Sequence, residues 1–406
     1  MRGVELLAPA GDMDTLVAAE RFGADAVYIG GPQMQLRAAS VGFTIEGVAR
    51  AAAHLHSRGK RLYVTVNAFA DQREADAAGA YGRALLECGA DAVIVSDLGV
   101  IARLRAEVPE LEIHVSTQAN CQNADAARVY AQMGCRRVVL GREMALEDIR
   151  QAHARLGEQI ELEVFVHGAM CMAYSGRCMI SASLTDRSAN RGACAQSCRW
   201  RYHLMEEKRP GQFFPVEEDD RGMTILSSLD LNAMPFLDQV LESGVRSLKI
   251  EGRMKTPYYV ATVVNAYRQR IDAILNGSDS PDLIRALQRE LNAVSHRPYS
   301  SGFYFGQLRK HAADEGVYLQ DCRFVGVVRQ LQANGWILVE LRNKFTVGDT
   351  LELVSPGTRG ASFAVEALYD EDGGEIYEAR VPQKLYALRC PYPVAPGDML
   401  RMRIEK

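Results

Sequence analysis

The chain predicts an α/β fold: a (β/α)8 barrel of the TIM type, regular or distorted, with a Cys-rich insertion and a small C-terminal β-barrel domain. Three observations predict the barrel. First, a short unit recurs in which helical sequence ends at a glycine and an apolar strand follows. Its copies are Phe22-Gly23-Ala24-Asp25-Ala26-Val27-Tyr28-Ile29, Cys88-Gly89-Ala90-Asp91-Ala92-Val93-Ile94-Val95, Met133-Gly134-Cys135-Arg136-Arg137-Val138-Val139-Leu140 and Ser243-Gly244-Val245-Arg246-Ser247-Leu248-Lys249-Ile250. A glycine after a helix supplies the left-handed conformation that caps it. Second, eight short apolar strands alternate with helical stretches, the pattern of a parallel sheet. Third, polar residues follow many of these strands, and in a barrel strand ends converge on one rim where chemistry sits. A doubly wound sheet is the main rival.

In order, the predicted strands are 4–8, 26–29, 61–66, 92–95, 112–116, 138–140, 161–166 and 247–250. The polar strand ends include Asn67, Ser96-Asp97, Thr117-Gln118-Ala119-Asn120, Gly141-Arg142-Glu143, His167 and Glu251-Gly252-Arg253. Polar residues also begin ordinary loops, so their joint recurrence, not any single one, points to a site. About 80 residues separate the seventh and eighth strands, far more than the usual connection of about 2–6. The division is therefore a barrel-like catalytic domain over 1–255 with a Cys-rich insertion at 167–245, a helical extension at 256–315, and an accessory β domain at 320–406. Helical spacing covers 258–276 and 281–293, with a break at Asn276-Gly277-Ser278-Asp279-Ser280-Pro281.

With 48% hydrophobic and 24% charged residues, the chain can bury a large core. A net charge of −4 excludes a generally basic nucleic-acid binder, so an RNA partner needs a local basic patch. No apolar run reaches about 18 residues, so no membrane is expected as a partner. Met1-Arg2-Gly3-Val4-Glu5 leads straight into a strand, without a leader peptide. Nine cysteines, an odd count, fit a reducing cytoplasm.

Four of the nine fall in one stretch. It reads Glu163-x-Phe165-x-x-Gly168-Ala169-Met170-Cys171, then Gly176-x-Cys178-x-Ile180-Ser181, then Gly192-Ala193-Cys194-Ala195-Gln196-Ser197-Cys198, a C-x6-C-x15-C-x3-C spacing. Clustered thiolates in a reducing compartment bind metal more often than they pair. Only Cys194 and Cys198 approach the tight knuckle of structural zinc. An iron-sulfur cluster tolerates wider gaps. Spacing alone leaves cluster, zinc and unligated cysteines open. Because Cys171 follows the seventh strand closely, any metal would lie over the barrel rim.

Residues 163–181 resemble the signature of the collagenase-like peptidases, peptidase family U32. Residues 188–200, Phe213-Phe214-Pro215-Val216 and Lys249-Ile250-Glu251-Gly252-Arg253-Met254-Lys255 are similar to the tRNA uridine hydroxylase branch of that family. The resemblance implies an oxygen-independent hydroxylase that forms 5-hydroxyuridine at the wobble position of the tRNA anticodon loop. It implies a 4Fe-4S cluster on Cys171, Cys178, Cys194 and Cys198, and prephenate, a small dicarboxylate, as co-substrate. Other branches hydroxylate ribosomal RNA or a ubiquinone precursor, and the family's older name implies a peptidase. The sequence holds no H-E-x-x-H and no G-x-S-x-G elbow. A non-catalytic RNA-binding module with a structural metal is a further alternative.

Residues 177–209 carry seven cations against three carboxylates, with Tyr174, Trp200 and Tyr202 interspersed. Cations fix phosphates and aromatic rings stack on unpaired bases, as a single-stranded RNA loop demands; a solvated charged face has the same composition. Candidate substrate-binding residues are Arg142, Arg177, Arg191, Arg199 and Lys249. Candidate catalytic residues are His167, Glu251 and Arg253. His167 could move protons or donate a hydrogen bond behind the metal, and the Arg253 fork suits a carboxylate. The repeated Gly-Asp-x-Leu at 348–351 and 397–400 resembles the small β-barrel of translation-factor second domains, a surface that could bind RNA.

Overall fold

The computed structural model describes residues 3–36, 42–171, 173–199, 217–219, 222–224, 229–306 and 318–404. Two compact units make up the chain, one formed by 1–16, 24–255 and 297–318, the other by 17–23, 256–296 and 319–406.

The first unit is a closed barrel. Its strands are β1 (Glu5–Pro9), β2 (Ala26–Gly30), β3 (Arg61–Val66), β4 (Ala92–Val95), β5 (Glu112–Val115), β6 (Arg137–Val139) and β7 (Glu161–Ala169). Between them run α1 (Met13–Arg21), α2 (Ile45–His56), α3 (Gln72–Glu87), α4 (Leu98–Glu107), α5 (Ala124–Gln132) and α6 (Leu146–Leu156). A six-residue helix α7 (Ile180–Thr185) and a hairpin, β8 (Glu217–Asp219) with β9 (Gly222–Thr224), follow. Then come β10 (Asp230–Asn232), α8 (Leu237–Glu242) and β11 (Ser247–Ile250). β11 pairs with both β1 and β7, so eight parallel strands close on themselves.

Local chemistry sets the helix ends. Asp71 and Glu74 form a reciprocal capping box on α3, each bond 2.9 Å long. Asp97 caps α4 and Asn123 caps α5 with one side-chain oxygen each, accepting the Val100 and Ala126 N–H groups. The glycines of the recurring unit, Gly23, Gly89, Gly134 and Gly244, all have positive φ, which lets each helix turn into its strand without a Cβ clash.

β7 continues three residues past its predicted end. β6 pairs only with 161–163, and β10 takes over antiparallel along 167–169. β12 (Tyr299–Ser300) then pairs with β10. The predicted helical character therefore ends before residue 297, and 297–318 belongs to the barrel unit.

The second unit contains α9 (Pro257–Leu275), α10 (Pro281–Asn292) and the C-terminal strands. Thr256 and Ser280 cap the two helices, each followed by proline at the first helical position. The strands are β13 (Cys322–Leu331), β14 (Trp336–Leu341), β15 (Phe345–Thr346), β16 (Thr350–Val354), β17 (Ala361–Ala364), β18 (Leu368–Tyr369), β19 (Glu378–Ala379), β20 (Leu385–Arg389) and β21 (Met399–Arg403). Seven of them form one antiparallel sheet in the order β17-β16-β21-β13-β14-β20-β18. Its inner face packs Val325, Val339, Leu351, Phe363, Leu388 and Leu400. Among the described residues, no helix is long and apolar enough to cross a membrane.

Candidate functional site

Alternate residues of each barrel strand point inward, and here part of the inward set is charged. Glu163 on β7 is fully buried and bonds Lys249 Nζ of β11 at 2.9 Å and Arg137 Nη1 of β6 at 3.1 Å. Arg137 also bridges Glu5 at 2.5 Å and Glu161 at 2.8 Å. Burial alone would push the Glu163 carboxyl up, but the charges of Lys249 and Arg137 overcome it and hold the group well below the usual carboxylate range. Burial likewise pushes the His114 imidazole down, so it sits neutral beside Glu112, 2.8 Å away.

Above this layer, at the C-terminal ends of the strands, lies a cavity of about 80 Å³. Tyr28, Thr65, Ile94, Val139, Phe165 and Lys249 form its floor and walls, while Asn67, Ser116, Arg142, Glu251 and Arg253 come from the strand ends. Lys249 Nζ lies 4.4 Å from the Tyr28 ring centre. Arg142 lies over the Phe165 ring at 4.2 Å and donates to the Ala169 carbonyl at 2.8 Å. Arg253 is 6% exposed and donates to Thr65 Oγ1 at 2.6 Å. The Tyr28 hydroxyl donates to the Ile250 carbonyl at 3.0 Å and lies 3.4 Å from Glu251 Oε2. Gly30 makes room here, since a Cβ on it would stand 2.8 Å from Arg253 Nη1.

Two buried polar atoms of this lining, Arg142 Nε and Asn67 Oδ1, have no hydrogen-bond partner among the described residues. A buried donor and acceptor left unpaired cost stability unless a ligand or water satisfies them. Three cations in one small cavity with an unpaired donor suit an anionic ligand with planar oxygens, such as a carboxylate.

The four cysteines occupy a segment docked on loops of the same unit. Arg177 Nε donates to the Gln118 carbonyl at 3.0 Å, and the Ser175 N–H and hydroxyl both donate to Glu143. Asn190 and Cys178 exchange two hydrogen bonds of 3.1 Å, and the Phe69 N–H donates to the Asn190 carbonyl at 3.1 Å. Arg191 reaches Glu74 at 3.0 Å and the Phe69 carbonyl at 2.9 Å.

No disulfide joins any of the four, with Cys171 and Cys194 exposed and Cys178 and Cys198 half-buried. The Cys171 sulfur accepts the Ala173 N–H, and the Cys194 sulfur the Gln196 N–H, both at 3.4 Å. Hydrogen bonds to sulfur tune and stabilise thiolate ligands. In kind, the donors fit an iron-sulfur cluster. Among the described residues, no three His, Cys, Asp or Glu side chains already stand together as a metal site, so ligation by these cysteines would require their sulfurs to move together.

The structure therefore brings Arg142, Lys249, Glu251 and Arg253 into one cavity, whose described lining does not include His167, Arg177 or Arg191. His167 is 1% exposed and packs against Tyr299, ring centres 5.4 Å apart, instead of lining the cavity. Arg177 and Arg191 are engaged in holding the Cys-rich segment. The Arg199 side chain, Arg201 and the 213–216 run lie outside the described residues. Arg191→Ala is expected to lower stability by less than about 1 kcal/mol, because both partners are partly exposed. It should leave the salt dependence of RNA binding unchanged, and a lower salt slope would return Arg191 to the RNA contact set.

Sequence reasoning missed Tyr28, Thr65 and Phe165. Each lies at an inward position of its strand, a signal that period-two alternation carries once the register is known. It also missed Asp230 and Arg297, a buried pair at 2.7 Å that ties β10 to the segment before β12. Their side chains are each 3% exposed, and nothing in sequence spacing joins them.

Comparison with known proteins adds two family matches. Residues 11–314 match Peptidase family U32, and residues 320–401 match the Peptidase family U32 C-terminal domain. The chain is 36% identical to a tRNA hydroxylation protein of Bacillus subtilis, over 98% of this chain and 94% of that one. It is 33% identical to the tRNA hydroxylation protein of Escherichia coli, over 97% and 92%. It is also 36% identical to a collagenase of Porphyromonas gingivalis, over 75% and 74%.

Proposed function

We propose that this chain, which belongs to peptidase family U32, is a tRNA hydroxylase forming 5-hydroxyuridine at the wobble position without molecular oxygen. The observation that carries this reading is similarity along almost the whole chain to two tRNA hydroxylation proteins. The cavity supports it chemically. Arg142, Arg253 and Lys249 would hold the carboxylates of a small co-substrate, prephenate, against the barrel floor. Glu251, beside the Tyr28 hydroxyl, is the only acidic residue among the described lining and would give or take the proton there. Cys171, Cys178, Cys194 and Cys198 would hold a 4Fe-4S cluster, which supplies one-electron chemistry. An anticodon loop presents its base without duplex melting.

A peptidase needs a nucleophile beside a base. The described cavity lining offers Ser116 and Thr117 but neither histidine nor cysteine. Mass spectrometry of tRNA and ribosomal RNA nucleosides from cells with and without the gene tests the reading. Loss of 5-hydroxyuridine from tRNA supports it, whereas loss of 5-hydroxycytidine from ribosomal RNA alone, or of neither, overturns it.

Anaerobically purified protein is expected to be brown, with about four irons per chain. Cys171→Ala, Cys178→Ala, Cys194→Ala and Cys198→Ala should each bleach it. Cys88→Ala, Cys322→Ala and Cys390→Ala should keep the colour, whatever packing energy the two buried ones lose. A colourless protein with one bound zinc would end the cluster assignment.

A further inference from the structure

We infer that a basic trough on the second unit grips backbone phosphates of the tRNA. This rests on the RNA reading above and adds to it a surface that neither the family matches nor the cavity assigns. The trough encloses about 820 Å³ and is lined by Ser278, Ser280, Arg285, Gln288, Arg289 and Arg359, with Asp282 as its one acidic residue. Arg285 and Arg289 stand four residues apart on α10 and share its exposed face. Arg359 enters from the loop between β16 and β17.

That loop is fixed. Asn265 of α9 donates to the Thr358 carbonyl at 2.9 Å, its Oδ1 accepts the Gly357 N–H at 2.8 Å, and Gln269 adds a bond of 3.2 Å to the same carbonyl. Arg359 is thus presented on a held backbone. Asp282 pairs with Arg285. Arg289 and Arg359 have no acidic partner among the described residues, and both are exposed. Several surface arginines of the other unit are paired: Arg103 with Asp76 and Glu107, Arg128 with Asp125, Arg150 with Glu147, Arg191 with Glu74.

In a chain of net charge −4, three arginines on one concave face make a local field that attracts a polyanion. A folded RNA, with its regularly spaced phosphates, matches a row of exposed guanidiniums flanked by hydroxyls and an amide. The trough is shallow and open, and an aromatic ring is missing from its described lining. It therefore fits the sugar-phosphate backbone and not an unstacked base.

The test compares two triple variants of the full chain by filter binding of unmodified tRNA across a salt series. Arg285→Gln with Arg289→Gln and Arg359→Gln empties the trough of cations. Arg103→Gln with Arg128→Gln and Arg150→Gln removes the same charge from helices of the other unit. All six side chains lie at the surface, so thermal melting should confirm that both variants fold. The trough variant is expected to bind tRNA roughly tenfold more weakly at physiological salt, with a salt slope lower by about two to three, as three lost phosphate contacts require. The control should bind nearly as well as the parent protein. Equal weakening of both variants, or no weakening of the trough variant, overturns the trough while leaving the hydroxylase reading intact. Failure of the parent protein to bind tRNA at all would overturn both.

Discussion

Glu163→Ala should cost about 3–5 kcal/mol of folding stability, the range for breaking a buried ion pair from one side. The carboxylate is fully buried and takes hydrogen bonds from two cations. Arg137 would keep Glu5 and Glu161, but Lys249 has no other acidic partner among the described residues. Its ammonium would be left with only the Tyr28 and Phe165 rings. A domain's net stability is only about 5–15 kcal/mol, so much of it would go. Urea unfolding measures this as a lower midpoint at unchanged slope. Glu163→Leu combined with Lys249→Met should recover a good part of the loss, because removing both charges leaves none unpaired. If the single variant unfolds at the parent midpoint, the inner layer is not holding the barrel.

The same carboxylate gives the barrel a pH dependence of definite sign. Its folded pKa lies below the unfolded value, so the folded state binds fewer protons than the unfolded one. Its contribution is complete above the ordinary carboxylate value of 4.5 and is lost as pH falls from there toward about 2. Acid unfolding of the parent should therefore be steeper over that interval than that of the Glu163→Leu, Lys249→Met protein.

How far the fold could be read in advance depends on where its cause lies. Strands 61–66, 92–95 and 247–250 were legible to the residue, because each is a short apolar run bounded by a glycine-capped or loop-forming start and a polar end. The end of β7 was not legible. Its continuation depends on Asp230-Leu231-Asn232, three residues far away in the chain that look like loop and pair with it only in space. That continuation decides the fate of His167. A histidine one residue past a strand would face the rim; inside a continued strand it packs on Tyr299. Arg142, Lys249, Glu251 and Arg253 were legible as neighbours around one cavity because barrel strand ends converge whatever the loops do. The pairing of Arg191 with Glu74 was not legible, since residue type cannot tell a phosphate partner from a carboxylate. The four thiols could be counted from sequence, but how far apart their sulfurs stand is a property of the folded segment.

Arg253→Lys is expected to remove most hydroxylation, roughly ten- to a hundredfold in rate, while leaving fold and cluster in place. Arg253 follows β11, is 6% exposed, and reaches across to Thr65 on β3. Lysine keeps the positive charge, so the cavity's field changes little. It loses the planar fork, and with it the ability to hold Thr65 and a carboxylate together in one fixed geometry. A charge-assisted bond made in the productive complex is worth about 1.5–3 kcal/mol, which sets the size of the rate loss. Three readouts separate the explanations. The 5-hydroxyuridine content of tRNA, in cells lacking the native gene and supplied with the variant, should drop. Iron content and visible spectrum should match the parent. Prephenate affinity, measured by calorimetry on purified protein, should weaken. Normal nucleoside content would remove Arg253 from the site. Loss of colour together with activity would assign it to support of the Cys-rich segment, and unchanged prephenate affinity with lost activity would place its partner on the RNA.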